Sequence, residues 1–109
     1  MEGGDQEGLV PHTFALEQNY PNPFNATTAI VYSLPNIGVQ PAGIRLTIYN
    51  LLGEVVKVLV EEKESAGRHI AYWDGRDEGG SPVASGVYFY RLQVSGIDYV
   101  KHKKMILLK

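Results

Sequence analysis

The strongest constraint in this 109-residue chain is a hydrophobic alternation of period two, repeated in several short runs and never replaced by a helical period. In Ile44-Arg45-Leu46-Thr47-Ile48-Tyr49 the apolar Ile44, Leu46 and Ile48 alternate with Arg45 and Thr47. In Thr28–Leu34, the residues Ile30, Tyr32 and Leu34 share one side. Successive strand side chains point to opposite faces, so each run describes a strand buried on one face. Arg68–Trp73, Val87–Val94 and Tyr99–Leu108 read as further strands. Val55–Val60 is a β-branched run broken by Lys57, which leaves its inward face ambiguous and suggests a bulge. Turn signals separate the runs: Pro21-Asn22-Pro23, Pro35-Asn36-Ile37-Gly38, Asn50-Leu51-Leu52-Gly53, Asp74-Gly75 and Glu78-Gly79-Gly80. About seven short strands at this spacing predict an all-β chain folded as an antiparallel β-sandwich.

Composition bounds what such a sandwich can do. The 12 glycines, 6 prolines and 7 tyrosines suit many turns joining aromatic-rich strands. Ten Lys and Arg against twelve Asp and Glu give a net charge of −2, so a dedicated nucleic-acid binder, which needs a cationic face, is not expected. Without cysteine there is no disulfide scaffold and no zinc site built on thiolates. No apolar run approaches the roughly 20 residues of a membrane-spanning helix. Residues 1–12, acidic and glycine-rich, read as a flexible linker before a domain over 13–109. They lack the basic and then apolar order of a signal peptide, so either the protein is cytoplasmic or this is part of a longer chain.

Candidate chemistry is sparse. His12, His69 and His102 lie far apart in sequence, and His69 alternates with Ala71 and Trp73, which places it beside the core rather than in a metal site. No nucleophile elbow, phosphate loop or His-Glu-x-x-His motif occurs, so no catalytic residues and no cofactor are expected. Aligned on Asp74, an EF-hand loop would put Arg76 and Ser85 where an oxygen ligand and a bidentate Glu are required. Asp74 and Asp77 fit better as acceptors for turn backbone N–H groups, with a carboxylate calcium site left open. Tyr32, Tyr88 and Tyr90 could suggest a sugar platform, but their places on apolar strand faces favour core packing. Asn25-Ala26-Thr27 is a glycosylation sequon of little weight. The last stretch, with Lys101, Lys103 and Lys104 before an apolar run, reads either as a lysine-guarded edge strand or as a strand that a partner recognises by β-addition and charge.

Several blocks carry a more specific signal. Asn19-Tyr20-Pro21-Asn22-Pro23-Phe24-Asn25, Ile48–Gly53, Ala66-Gly67-Arg68-His69, Trp73-Asp74-Gly75-Arg76-Asp77, Val83–Leu92 (with Gly86 and Tyr88) and Lys103-Lys104-Met105-Ile106-Leu107-Leu108-Lys109 occur in that order. Together they resemble the type A C-terminal sorting domain of type IX secretion, found in Bacteroidota and related phyla. The blocks also resemble the Ig-like domain of the flagellar hook-capping protein. The resemblance implies an Ig-like sandwich without catalytic activity. It also implies a cargo fused at the N-terminal side, passage through the type IX translocon across the outer membrane, and cleavage in the linker by a sortase-like attachment complex that anchors the cargo at the cell surface. It makes Lys103–Lys109 the sorting signal, Pro21–Asn25 the opening loop, and Gly53 and Gly67 turn residues. The alternatives are a structural Ig-like module, as in a hook cap or an extracellular spacer, and a carbohydrate-binding module.

Overall fold

The computed structural model describes residues 11–36, 38, 41–97 and 99–109. Its strands are β1 (Ala15–Leu16), β2 (Thr28–Leu34), β3 (Ala42–Tyr49), β4 (Val55–Glu64), β5 (Gly67–Trp73), β6 (Gly86–Val94) and β7 (Tyr99–Leu107), with no helix among the described residues. The expected linker falls outside the described residues except at positions 11 and 12. Two antiparallel sheets, ordered β1-β2-β5 and β4-β3-β6-β7, make an Ig-like β-sandwich of seven strands. The alternation explains why they pack. Ile30, Tyr32 and Leu34 of β2 face Leu46 and Ile48 of β3 and Tyr90 and Leu92 of β6, all within one buried cluster. Each such side chain removed from water contributes about 1.5–3 kcal/mol.

β4 resolves its ambiguity by bulging twice. Its pairing with β3 steps from Leu46↔Val60 to Thr47↔Val58 and from Ile48↔Lys57 to Tyr49↔Val55. Leu59 and Val56 are therefore skipped in the ladder, and both pack against the core, so the apolar run does not have to choose one parity. Thr47 corrects the simple alternation. It belongs to the outward set with Arg45 yet is only 1% exposed. The bulge sets Val58 opposite it on one side and β6 sets Arg91 on the other, which covers the threonine.

The chain changes sheets between β4 and β5, and His69 packs at that corner. Its ring stacks on Tyr32 at 5.5 Å between centroids, and its Nε2 lies 2.8 Å from the Ser65 carbonyl. Tyr32 donates to Glu64 Oε1 at 2.5 Å across the same corner. Tyr32, Tyr88, Tyr90 and Trp73 are all core residues, so none of these rings offers a face to a sugar.

Candidate functional site

Several of the residues that carried the family resemblance gather around β7. The approach begins at Asn19, 2% exposed, whose amide donates to Pro21 O at 3.1 Å and Thr28 Oγ1 at 2.9 Å. Thr28 Oγ1 donates in turn to Pro21 O, and Tyr20 bridges Ala29 through two backbone bonds. The base of the loop 21–25 is thus closed by a buried polar network, in which every donor finds an acceptor. Tyr90 completes it from the opposite sheet: its hydroxyl accepts from Asn19 N at 2.8 Å and donates to Glu17 O at 2.6 Å. Both Pro21 and Pro23 follow cis peptide bonds.

This loop then clasps the terminal strand. Alternate residues of β7 direct their backbone groups away from β6, and the loop meets them one after another. Gln18 Nε2 donates to Lys104 O at 2.7 Å, and Ile106 N donates to Asn22 Oδ1 at 2.9 Å. Phe24 N donates to Ile106 O, and Leu108 N to Phe24 O, each at 2.9 Å. Lys109 N donates to Ser85 Oγ at 3.0 Å. The Phe24 ring is buried against Trp73 at 5.6 Å, and Trp73 meets Tyr88 edge-on at 5.4 Å. Trp73 Nε1 and the Tyr88 hydroxyl each find a backbone carbonyl, on Arg76 and Ala84. On the other side of β7, Gly86 pairs with Leu107 and Tyr88 with Met105.

Gly75 sits where the next turn approaches this strand. Its φ is +74°, and a methyl group there would lie 3.7 Å from Leu107 Cδ2, so backbone conformation rather than space selects glycine. Asp74 Oδ1 accepts from Arg76 N at 3.2 Å and Asp77 Oδ1 from Ser81 N at 2.9 Å, the turn-holding role expected of both. A depression of about 440 Å³ lies between this turn and the loop, lined by Asn25, Ala26, Asp74, Gly75, Leu107 and Lys109 among others. Gly53 and Gly67 stand outside the clasp. Gly53 closes the β3–β4 turn through its N–H to Asn50 O, and Gly67 opens β5 at the change of sheet.

The expected signal segment divides by parity. Met105 and Leu107 are fully buried, Ile106 and Lys103 are half-buried, and Lys104, Leu108 and Lys109 are exposed. Asn19, Thr28, Tyr90 and Gln18 hold the clasp, yet their part in it could not be read from spacing, because the bonds Gln18–Lys104, Tyr90–Glu17 and Tyr90–Asn19 span 86, 73 and 71 positions. The only local hint was a polar Asn just before an aromatic–proline loop. Burial raises the Tyr90 hydroxyl pKa to about 12 and also raises those of Tyr88 and Tyr99. Burial first, and then the hydrogen bond to Glu64, raises that of Tyr32. Among the described residues no group of three or more His, Asp and Glu side chains is placed to hold a metal ion.

Fold and clasp define a small Ig-like β-sandwich module whose terminal strand is locked by its own opening loop. Residues 36–98 match the family described as the FlgD Ig-like domain, more than half of the chain, and the protein belongs to that family. A comparison with curated proteins finds no match to the chain. Among solved structures, it is similar to dimeric latent PorU from Porphyromonas gingivalis, with a TM-score of 0.71 and 21% identity over 93% of this chain and 10% of that one. It is also similar to PorZ of the same organism, described as an essential bacterial surface component of the type-IX secretion system. That match has a TM-score of 0.57 and 22% identity over 87% of this chain and 12% of PorZ. FlgD from P. aeruginosa gives a TM-score of 0.55 and 23% identity over 90% of this chain and 73% of that one. The chain therefore spans about a tenth of the PorU and PorZ chains it matches. At these identities the likenesses show a shared fold.

Proposed function

We propose that this domain is a non-catalytic C-terminal sorting signal: it directs a larger protein fused before it through the type IX translocon, for cleavage and attachment at the cell surface. The observation that carries this reading is the convergence of motif residues from 21–25, 73–75 and 86–88 on one strand and its tail, 103–109. Residues spread over most of the chain are spent on displaying a seven-residue segment in one fixed geometry. PorZ, itself described as a type-IX secretion component, shares the sandwich, which supports an exported setting. The signal is then a folded surface rather than a linear peptide. With Met105 and Leu107 inside the core, a receptor reads Lys104, Leu108 and Lys109 on a rigid support.

That distinction sets the test. Deleting Lys103–Lys109 would remove two core side chains and confound sorting with unfolding. The full chain should instead be fused to a periplasmic reporter in a type IX-competent host and compared with its Lys104→Glu/Lys109→Glu variant. Both substituted side chains are exposed, so the variant should keep its melting curve while surface delivery falls by about tenfold or more, the equivalent of ~1.4 kcal/mol. Unchanged delivery by a folded variant would overturn the signal assignment.

A second reading has its own observation. The family match spans residues 36–98, which excludes both the loop 21–25 and β7, and FlgD of P. aeruginosa shares most of its length with this sandwich. On that reading the domain is a structural Ig-like module, and the charge reversal leaves its placement in the parent protein unaltered.

A further inference from the structure

The clasp covers only half of β7. Outward backbone groups of Lys104, Ile106 and Leu108 are bonded to Gln18, Asn22 and Phe24, but no described residue bonds the outward N–H and C=O of Val100 and His102. An unpaired strand edge is a template for another strand. The opposite edge of the same sheet is protected differently: β4 bulges twice and carries Lys57, Glu61, Glu62, Lys63 and Glu64, charges of both signs. Among the described residues the uncovered half of β7 pairs with β6 without a register shift and carries charge of one sign. Lys101, His102, Lys103 and Lys104 follow one another, Lys101, His102 and Lys104 are exposed, and among the described residues none of the three lysines has a carboxylate within ion-pair distance. Arg91, the cross-strand partner of His102, adds a fifth basic group. It is stacked 4.9 Å over Tyr49 and donates to that hydroxyl, so its guanidinium is held in place.

Mixed charge on an edge discourages every incoming strand about equally. Charge of one sign repels its like and attracts its opposite. A second copy docking β7 against β7 would set lysine beside lysine, which is destabilising between directly opposed strand positions. An acidic strand would meet lysine on one face and His102 with Arg91 on the other. We propose that the open half of β7, centred on Val100 and His102, accepts an extended acidic peptide from a partner protein as a fifth strand of this sheet. Backbone bonds to Val100 and His102 supply the pairing, and alternating carboxylates supply selectivity. The clasp marks where the added strand must stop, at Lys104. The inference does not depend on the sorting role, since its contacts lie before the segment 103–109 except at the shared Lys103 and Lys104.

The test uses the full 109-residue chain and a labelled peptide of alternating Glu and Thr about eight residues long, a common strand length. Saturable binding is expected, with new hydrogen-exchange protection at the Val100 and His102 amides. N-methylation of alternate peptide nitrogens should abolish it, and the Lys101→Glu/His102→Glu variant, folded by its melting curve, should weaken it by about tenfold or more. Absence of saturable binding would overturn the proposal. So would binding that survives N-methylation on either register, protection confined to other strands, or protection that arises by self-association without peptide. Because neither Lys101 nor His102 lies within the segment assigned to sorting, this result and the secretion result can fail separately.

Discussion

Tyr90 shows how much a single hydroxyl can do in a core this small. It is wholly buried, accepts from Asn19 N and donates to Glu17 O, so it ties the four-stranded sheet to the segment leading into the clasp. Tyr90→Phe leaves a buried N–H without its acceptor and should cost about 1–3 kcal/mol in urea denaturation. The same burial makes stability depend on alkaline pH. Burial pushes the folded-state pKa of the hydroxyl up to about 12, from the ordinary 10.0 that the unfolded chain keeps. Below pH 10 neither state ionises it, so its contribution is fully present. Between the two values the unfolded chain releases the proton first, and stability falls, by on the order of 2–3 kcal/mol at pH 12. Tyr32, shifted in the same direction, adds to the fall. Urea midpoints measured from pH 8 to 12 should therefore drop, and Tyr90→Phe should flatten that drop. Ala26 makes the opposite case. It holds φ at +86°, a left-handed conformation that costs a residue with a Cβ about 1–2 kcal/mol. Ala26→Gly should raise the thermal midpoint, with up to about 1 kcal/mol remaining after the larger entropy loss of glycine.

At the scale of elements, β7 is two objects in one strand. Its even-numbered residues present a surface and an edge, while Met105 and Leu107 complete the core. Met105→Ala or Leu107→Ala should cost about 2–5 kcal/mol by leaving a cavity, whereas Lys104→Ala should stay within about 0.5 kcal/mol. Chemical denaturation of the three variants checks the contrast. The strands themselves were legible because alternation is a local signal: the parity of β2, β3 and β6 follows from six or seven adjacent letters. β4 was legible only as an anomaly. Its bulges come from pairing with β3, and pairing is not written in either strand alone. Thr47 was misjudged for the same reason, since its cover comes from Val58 and Arg91.

For the whole molecule, sequence marked the blocks of the family resemblance but not which of them meet. Nothing in Asn22 announces a bond to Ile106, 84 positions away, and nothing in Gln18 points to Lys104. Such contacts exist only once two sheets have been stacked. Gly53 and Gly67 bore the same kind of signal as Gly75 and yet serve remote turns, so motif membership alone did not define the site. The long separation has a temporal side. Of the seven described strands β7 leaves the ribosome last, and until it does, the cluster that holds Phe24 and Trp73 lacks Met105 and Leu107 and the opening loop has no strand to bond. A chain interrupted before residue 104 lacks two core side chains, Met105 and Leu107, and the strand that the loop 21–25 bonds. Closure of this core therefore waits until residues 105–107 are available, long after Phe24 and Trp73 have been made.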